Sequence, residues 1–320
     1  MLVSVLLPAR NASATIREAA SSILQQRDAP PFEVVCVDDA STDGTATHLP
    51  PEVRVVRGCG KGLVEALNLG LAHCRGDFIA RMDADDIALP DRLRLQIELL
   101  RSNERLGAVG CLVECFPPSP GLSRLEAWLN RIVTPDDCKK ARFIEAPLVH
   151  PSTTYRRKAL GHGWEDHGWA EDWDLLLRLD EQGWQLAKVP QVLLRWRDSE
   201  ERLTRTGAAY SPQQLLKLRA HYLARGPLRG RRFSIWGAGP TGKRLARELE
   251  AHGLRPEAFF DVDRNKAFAR GRPVYREDKL PERGSEFIVA AVGAAGARDE
   301  IRSALNPRGY REGDDYLFAC

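Results

Sequence analysis

The chain has 320 residues, a hydrophobic fraction of 43% and a formal net charge of +3 at pH 7. This length favours two domains over one, and the nearly balanced charge excludes a protein whose whole surface attracts nucleic acid. No apolar run approaches the roughly 20 residues that a membrane-spanning helix needs. The seven cysteines are scattered and form no CxxC pair, which favours reduced thiols and a cytoplasmic location.

Predicted strands and helices alternate through the first part of the chain. The β-type segments are residues 2–7, 32–37, 52–57 and 77–82. Apolar residues with helical spacing predict helices within residues 13–26 and 62–75. This alternation is typical of an α/β fold with a mainly parallel sheet. In such sheets ligands bind beyond the carboxyl ends of the strands.

Three of these strand ends carry polar residues, in the segments Pro8–Asn11, Asp38–Asp39 and Asp83–Asp86. Because the carboxyl ends of parallel strands meet at one edge of the sheet, we expect the three segments to converge on one crevice. Asp38 and Asp39 have an alternative interpretation as ordinary turn acids, since residues 41–44 are Ser, Thr, Asp and Gly.

The densest acidic segment has three carboxylates in four positions, at Asp83, Asp85 and Asp86. Neighbouring carboxylates repel each other, so a cation is expected among them. In an extended segment the side chains of Asp83 and Asp85 point to the same side, and two carboxylate ligands suit Mg²⁺ or Mn²⁺ bound to a diphosphate. Asp86 has an alternative role as the cap of the helix predicted to begin near Pro90.

A second acidic motif, Glu171-Asp172, stands at the start of a predicted amphipathic helix. Acids at a helix N-terminus are stabilising through capping and the helix dipole alone. The functional interpretation is that Asp172 is a general base, which accepts the proton of an attacking hydroxyl group as the new bond forms.

Four segments together resemble the inverting glycosyltransferases of family 2, which have the GT-A fold: residues 4–26, 32–45, 60–86 and 170–179. The resemblance implies transfer of a sugar, with inversion, from a nucleotide-diphosphate donor such as a UDP-sugar to a hydroxyl acceptor. It also implies a Mn²⁺ or Mg²⁺ cofactor, a glycan or lipid-linked acceptor, and a place in bacterial cell-surface polysaccharide assembly.

The resemblance assigns a role to each matching residue. Asp83 and Asp85 become the metal-binding pair, with Asp85 favoured as the direct ligand. Asp172 becomes the catalytic base, and Glu171 orients the acceptor or binds backbone amides. The residues implied at the nucleotide-sugar site are Pro8, Arg10, Asn11, Asp38, Asp39, Gly60, Lys61 and Asn68.

Two further segments carry candidate polar residues. His150, in the segment 146–160, contacts the donor or acceptor, or is a hydrogen-bonded structural residue. Arg197, Ser199 and Thr204 are candidates for the surroundings of the diphosphate, although the acidic Glu200-Glu201 pair between them opposes phosphate binding.

Residues 202–232 contain eight Lys or Arg and no Asp or Glu. The apolar spacing within residues 212–226 predicts an amphipathic helix. A basic amphipathic helix can contact an anionic membrane surface, which would place the protein at the inner face of the cell membrane beside a lipid-linked acceptor. The favoured alternative is a linker helix that packs between two domains. Nucleic acid is excluded as a partner because no aromatic platform accompanies the charge.

The C-terminal part predicts a second, smaller α/β unit. Gly237, Gly239 and Gly242 form GxGxxG between a predicted strand and a helix, and Asp261 follows 24 residues after Gly237, the spacing of a ribose-binding acid. The unit resembles the small Rossmann modules of bacterial sugar-modifying proteins. Nucleotide or nucleotide-sugar binding, a purely structural or dimerisation role, and a redox role all remain open.

The predicted organisation is a glycosyltransferase domain at 1–210, a basic linker helix at 211–230 and a Rossmann-like domain at 231–320. One alternative is a nucleotidyltransferase, but the segment after the first strand lacks the Gly-rich basic loop of those enzymes. Another is a regulatory, NAD-binding protein that acts through its C-terminal module, which leaves the acids of the first domain without a role.

Overall fold

The strand Val3–Ala9, β1, is buried along its whole length and lies inside an eight-stranded sheet. The computed structural model describes residues 1–118 and 120–320. It divides into one unit of residues 1–138, 146–167 and 171–206, and a second of residues 139–145, 168–170 and 207–320. The domain boundaries expected from the sequence, near residues 210 and 230, stay a prediction.

The sheet of the first unit is mixed, and its strand order is β3-β2-β1-β4-β7-β6-β8-β5. The remaining strands are β2 Phe32–Asp38, β3 Arg54–Arg57, β4 Phe78–Arg81, β5 Ile87–Ala88, β6 Leu106–Phe116, β7 Thr154–Arg156 and β8 Gln185–Arg197. Strands β1 to β4 run parallel, as do β6 and β8, whereas β5 and β7 are antiparallel to their neighbours. The predicted fold class, a mainly parallel α/β sheet with flanking helices, is confirmed.

Helices flank this sheet. They are α1 Ile16–Leu24, α2 Leu63–His73, α3 Arg92–Ser102, α4 Pro120–Leu129, α5 Pro135–Ala141, α6 Arg157–Leu160, α7 Glu171–Glu181 and α8 Leu203–Thr206. Helix α1 buries Ile16, Ala19, Ala20 and Ile23, the i, i+3, i+4, i+7 spacing of one helix face. A Cβ atom on Gly70 would lie 2.2 Å from Leu6 Cδ1, so the missing side chain lets α2 approach β1 closely.

The second unit contains a six-stranded sheet with the order β11-β12-β10-β9-β13-β14. Its strands are β9 Phe233–Trp236, β10 Phe259–Phe260, β11 Phe268–Ala269, β12 Arg272–Tyr275, β13 Phe287–Ala290 and β14 Tyr316–Phe318, and its helices are α9 Pro212–Arg225, α10 Pro240–Ala251 and α11 Ala297–Leu305. Four neighbouring pairs in this order are parallel: β12 with β10, β10 with β9, β9 with β13, and β13 with β14. The strand order reverses between β9 and β13, as it does in doubly wound folds.

Helix α9 is the basic amphipathic helix expected from the sequence. It buries Leu218, Ala220, Tyr222 and Leu223 and packs against α10. The half-buried guanidinium of Arg219 donates hydrogen bonds to the carbonyl oxygens of Phe143 and Ile144 in the same unit. Membrane contact by residues 202–232 stays a prediction, and in the described part of the chain no helix is long and apolar enough to cross a bilayer.

Gly242 provides a test of the second unit. A Cβ atom there would lie 1.9 Å from the carbonyl oxygen of Gly237. Alanine normally stabilises a helix relative to glycine, but here we expect Gly242→Ala to lower the free energy of unfolding by about 2–3 kcal/mol, because a backbone atom must move. Denaturant unfolding of the full chain measures the change.

The matched control is Gly239→Ala, three residues away in the same turn. A Cβ atom at Gly239 has no neighbour within 4 Å in the described chain, so its cost should stay below about 1 kcal/mol. Equal effects of the two substitutions would contradict the close approach of α10 to the turn after β9.

Candidate active site

Three carboxylates come together where the chain leaves β4. The ligand oxygens of Asp83, Asp85 and Asp86 all lie within 4.8 Å of one another. The expectation that Asp83 and Asp85 share one side of an extended segment is wrong, because β4 ends at Arg81 and residues 84 and 85 form a turn. The turn, and not strand alternation, concentrates the three acids.

Asp86 belongs to this cluster and is not a helix cap. Helix α3 begins at Arg92, with Asp91 in the N-cap position. The side chain of Asp86 is 1% exposed, and its Oδ1 accepts a hydrogen bond from the backbone N–H of Arg197 (2.7 Å). Its Oδ2 has no hydrogen-bond partner among residues 1–118 and 120–320. The capping alternative is therefore wrong, and a buried carboxylate oxygen remains available to a ligand.

A buried arginine lies beside the acids. Arg81, the last residue of β4, is 3% exposed, and its Nη1 lies 2.6 Å from Asp83 Oδ2. Its carbonyl oxygen accepts a hydrogen bond from the buried Arg92 (2.6 Å). The sequence reasoning missed Arg81, although a charged residue within an otherwise apolar strand is a readable signal, since buried charges are almost always paired.

Burial and mutual repulsion set the protonation of the cluster. Burial, followed by the charge of Asp83, raises the pKa of Asp85 to about 6, and the Arg81 guanidinium opposes this rise. Burial raises the pKa of Asp86 well above its ordinary value, again with repulsion from Asp83 and Asp85. Further positive charge at this site would be stabilising.

Arg197 of β8 holds the same segment from the other side. Its Nε donates to the carbonyl oxygen of Asp85 (2.6 Å), and its Nη2 forms an ion pair with Glu18 (2.8 Å). Arg197 was a candidate for the diphosphate site, and the structure places it against the acidic cluster. Its contact with a phosphate stays a prediction.

Asp172 lies in the first turn of α7, partly buried, and its Oδ1 accepts the N–H of Trp173 (2.8 Å). Burial raises its pKa, while the charge of Arg81 lowers the pKa and that of Asp83 raises it. The charges of Arg81 and Asp83 therefore both act on Asp172, although neither group has a hydrogen bond or ion pair with it among those the described chain shows.

Glu171 is buried rather than facing solvent. Its Oε1 lies 3.8 Å from His150 Nδ1, and the indole N–H of Trp164 donates to His150 Nε2 (3.1 Å). Asn68 in turn binds the backbone of Trp164. Two expected ligand-contacting residues, Asn68 and His150, therefore contact protein groups here, and His150 fits its hydrogen-bonded structural alternative.

Asp39 anchors the loop that precedes α2. Its side chain is 3% exposed, and its two oxygens accept hydrogen bonds from the N–H groups of Gly60 (2.7 Å) and Gly62 (3.0 Å). Arg10 donates to the carbonyl oxygen of Gly60 at 3.4 Å. Asp38 Oδ1 accepts the N–H of Ser41 (3.2 Å), in keeping with its turn alternative.

The end of β1 meets the turn after β2. Asn11 has a φ of +51°, and its Oδ1 accepts the N–H of Thr42 (2.9 Å). Pro8 is buried in β1, opposite Val37 of β2, whereas Lys61 is exposed. The loops after β1, β2 and β3 are thus joined by side chains, and nucleotide contacts by these residues stay predictions.

In the second unit, Asp261 follows β10 directly and binds the glycine turn. Its Oδ2 accepts hydrogen bonds from the N–H of Ala238 (2.8 Å) and from Lys266 Nζ (2.9 Å). The spacing of Gly237, Gly239 and Gly242 therefore does place the turn next to Asp261. Ribose binding by Asp261 stays a prediction.

The mixed sheet and the carboxylate site beside β4 define an α/β protein of the GT-A type. The model of the family described as "Glycosyl transferase family 2" matches residues 4–164, half of the chain, and the chain belongs to this family. The family predicted from the sequence is thereby confirmed.

Two curated relatives carry the same class name. An uncharacterized glycosyltransferase of Haemophilus influenzae is 29% identical over 213 residues, which cover 61% of this chain and 65% of the relative. The amylovoran biosynthesis glycosyltransferase AmsE of Erwinia amylovora is 31% identical over 219 residues, which cover 65% of this chain and 81% of the relative. The chain thus spans just under two thirds of the first of these proteins.

Two solved structures share the fold. S. aureus TarS 1–349 in complex with UDP-GlcNAc has a TM-score of 0.56 at 20% identity, covering 79% of this chain and 72% of TarS. The mannosyltransferase PcManGT of Pyrobaculum calidifontis, in complex with GDP-Man and Mn²⁺, has a TM-score of 0.54 at 22% identity, covering 70% and 64%. At these identities the similarity supports the fold alone.

Arg81 yields a stability prediction. Replacing it by methionine leaves a similar volume but removes the positive charge beside the acids. We expect Arg81→Met to lower the free energy of unfolding by about 3 kcal/mol, because the half-buried Asp83 and the buried Asp86 lose the positive charge that acts on them. Chemical denaturation near neutral pH measures the loss.

Arg94→Met is the matched control, because Arg94 pairs with Asp91 (2.8 Å) and Glu98 (3.3 Å) on the surface of α3. Surface pairs contribute about 0–1 kcal/mol, so this change should be small. An Arg81→Met protein as stable as Arg94→Met would show that the acids do not need the guanidinium.

Proposed function

We propose that the chain transfers a sugar, with inversion, from a nucleotide-diphosphate donor to a hydroxyl group of a glycan or lipid-linked acceptor. One observation carries the proposal: the carboxylates of Asp83, Asp85 and Asp86 lie together beside Arg81 at the end of a parallel strand, and the charges of Arg81 and Asp83 act on the helix-start acid Asp172. A nucleotidyltransferase or a regulatory NAD-binding protein gives no role to Asp172.

The donor set fits a divalent cation. Three carboxylates lie within 4.8 Å of one another, and the buried Asp86 Oδ2 has no protein partner in the described chain. Oxygen ligands of this kind suit Mn²⁺ or Mg²⁺. Asp85 and Asp83 are the proposed ligands, and Asp86 adds the third oxygen. When bound, the ion would neutralise charge on the departing diphosphate.

Asp172 is the proposed general base. It accepts the proton of the acceptor hydroxyl as the oxygen attacks the anomeric carbon, while the bond from that carbon to the diphosphate breaks on the opposite face. One such displacement inverts the configuration. Burial raises the pKa of Asp172, which makes it a better proton acceptor than an ordinary aspartate. Glu171, being buried, supports this group rather than contacting the acceptor.

The donor proposed first is a UDP-sugar. The TarS complex holds UDP-GlcNAc and the PcManGT complex holds GDP-Man, so guanosine donors are tested beside it. The name of AmsE refers to amylovoran biosynthesis, which supports cell-surface polysaccharide as the product class. Action at the cytoplasmic face of the membrane, on a lipid-linked acceptor, is part of the same proposal.

We propose in addition that the second unit binds a nucleotide or nucleotide-sugar. The reversal of strand order between β9 and β13 supports this, because ligands of doubly wound sheets bind at such points. The glycine turn after β9 and its hydrogen bond to Asp261 lie at this reversal.

Thermal unfolding with UDP, GDP, dTDP, CMP or NAD, each with and without Mn²⁺, tests the donor and the metal. A nucleotide at about 100 times its dissociation constant should stabilise the chain by roughly 2.7 kcal/mol. We expect a UDP shift that needs Mn²⁺ and is lost in Asp85→Asn, because the amide removes a charge from the ion site.

Asp91→Asn is the control, since it makes the same change outside the cluster, at the start of α3. A UDP shift that is the same in Asp85→Asn would contradict the metal site. A nucleotide shift that needs no Mn²⁺ and survives Asp85→Asn would instead belong to the second unit.

The role of Asp172 predicts a pH dependence. A general base works only when deprotonated, and burial raises the pKa of Asp172. The transfer rate should therefore fall as the pH is lowered through that raised pKa, at a higher pH than for an ordinary aspartate. Asp172→Asn should lower the rate by about 10²–10⁴-fold while keeping the Mn²⁺-dependent UDP shift.

Asp180→Asn, near the end of the same helix, controls for charge removal and should keep the normal rate and pH profile. Near-normal transfer by Asp172→Asn would disprove the assignment of the base without touching the donor site.

A further inference from the structure

Four polar side chains from separate parts of the first unit form a buried chain of contacts that ends beside Asp172. Asn68 is in α2, and His150 begins a single helical turn before β7. Trp164 lies in the segment before α7, and Glu171 is the first residue of α7. Trp164, His150 and Glu171 are 2%, 6% and 5% exposed. The side chains of these three residues are therefore too buried to contact a sugar donor that is in solvent.

The chain begins with two reciprocal hydrogen bonds. Asn68 Nδ2 donates to the carbonyl oxygen of Trp164 (2.8 Å), and Asn68 Oδ1 accepts the N–H of Trp164 (2.9 Å). The preceding residue, Gly163, has a φ of +100°, and a Cβ atom there would lie 2.2 Å from Asn68 Oδ1. The amide of Asn68 therefore fixes the backbone that carries the indole.

The next contact determines the protonation of the histidine. An indole N–H can only donate, so the 3.1 Å contact from Trp164 Nε1 requires His150 Nε2 to be unprotonated. The proton of the neutral ring must then be on Nδ1, which lies 3.8 Å from Glu171 Oε1. Burial and the charge of Arg81 lower the pKa of His150, in agreement with a neutral ring.

We propose that Asn68, Trp164 and His150 are positioning residues, which hold Glu171 in place and thereby set the orientation of the adjacent Asp172. The inference rests on the proposed function of Asp172 as the base. It gives Asn68 and His150 a role different from contact with the donor. At 3.8 Å the contact between His150 Nδ1 and Glu171 Oε1 is longer than a hydrogen bond. Catalytic contacts are often long in a protein without its substrate, and the proposal expects this one to shorten when the acceptor binds.

Two substitutions at His150 test the roles of the two ring nitrogens separately. Glutamine can place an acceptor near the position of Nε2, so His150→Gln keeps the partner of Trp164 but loses the donor that faces Glu171. Asparagine can place an amide near the position of Nδ1, so His150→Asn keeps that donor but loses the partner of Trp164. Both are neutral at every pH of the assay.

The proposal expects His150→Gln to lower kcat by about 10²-fold, since small misplacements of catalytic groups cost this much, with the KM for the donor unchanged. His150→Asn should stay within about threefold of the wild-type kcat. Thermal unfolding of both variants shows whether they are equally folded. A raised donor KM with normal kcat in either variant would indicate donor contact and overturn the proposal, as would a normal kcat in His150→Gln.

A spectroscopic readout is independent of turnover. In ¹⁵N-labelled wild-type chain, the ring signals of His150 should show the Nδ1–H tautomer, and Trp164→Phe, which removes only the indole donor, should change them. An Nε2–H or doubly protonated ring in the wild type overturns the arrangement. Absence of transfer by the wild type with every donor would refute the proposed function instead, which distinguishes the two failures.

Discussion

The contact between Arg81 and Asp83 is the interaction on which the site depends. Asp83, Asp85 and Asp86 lie together where the chain leaves β4, and Asp86 is buried. The charges of Arg81 and Asp83 also act on Asp172. Because neighbouring carboxylates repel each other, a compensating cation beside them stabilises the fold. A guanidinium is the suitable permanent cation, because it stays charged when buried and can face more than one carboxylate.

The site would then have two sources of positive charge: Arg81, which is fixed, and a divalent ion, which can exchange. Arg81 is tied to the backbone network through Arg92 and cannot leave. Burial first, and then repulsion from Asp83, raises the pKa of Asp85 and of Asp86, while the charge of Arg81 opposes the rise. A divalent ion that arrives with a diphosphate would complete the compensation. Binding of the donor and binding of the ion would then be coupled, because the ion would contact both the diphosphate and the carboxylates.

Much of the fold could be predicted from the sequence because its signals are local. Apolar runs gave β1 to β4, and helical spacing gave α1, α2, α7 and α9. Strand ends gave the position of the acidic edge. The family was readable from four short segments in a fixed order. The antiparallel β7 and the pairing of β6 with β8 could not be read, because they depend on contacts between residues far apart in the sequence.

The predicted site residues show a second limit. Asp39 and Asn68 were assigned to the nucleotide-sugar site, and Glu171 to the acceptor or to backbone amides. In the structure Asp39 and Asn68 bind loop backbone and Glu171 lies 3.8 Å from His150, while their contact with a ligand stays a prediction. A polar residue that contacts a ligand and a polar residue that holds the neighbouring loop both occur at strand ends and loop positions. The sequence alone does not distinguish these two roles. They differ only in the direction of the side chain.

This limit also separates what the chain does from what it acts on. The proposed transfer needs charged groups at defined strand and helix ends, and Asp83, Asp85 and Asp172 are the candidates for them whatever the donor is. Discrimination between donors depends instead on a few groups that face the ligand, and the exposed Arg10 and Lys61 are candidates for this role. The reaction class is therefore encoded locally, whereas the donor is not.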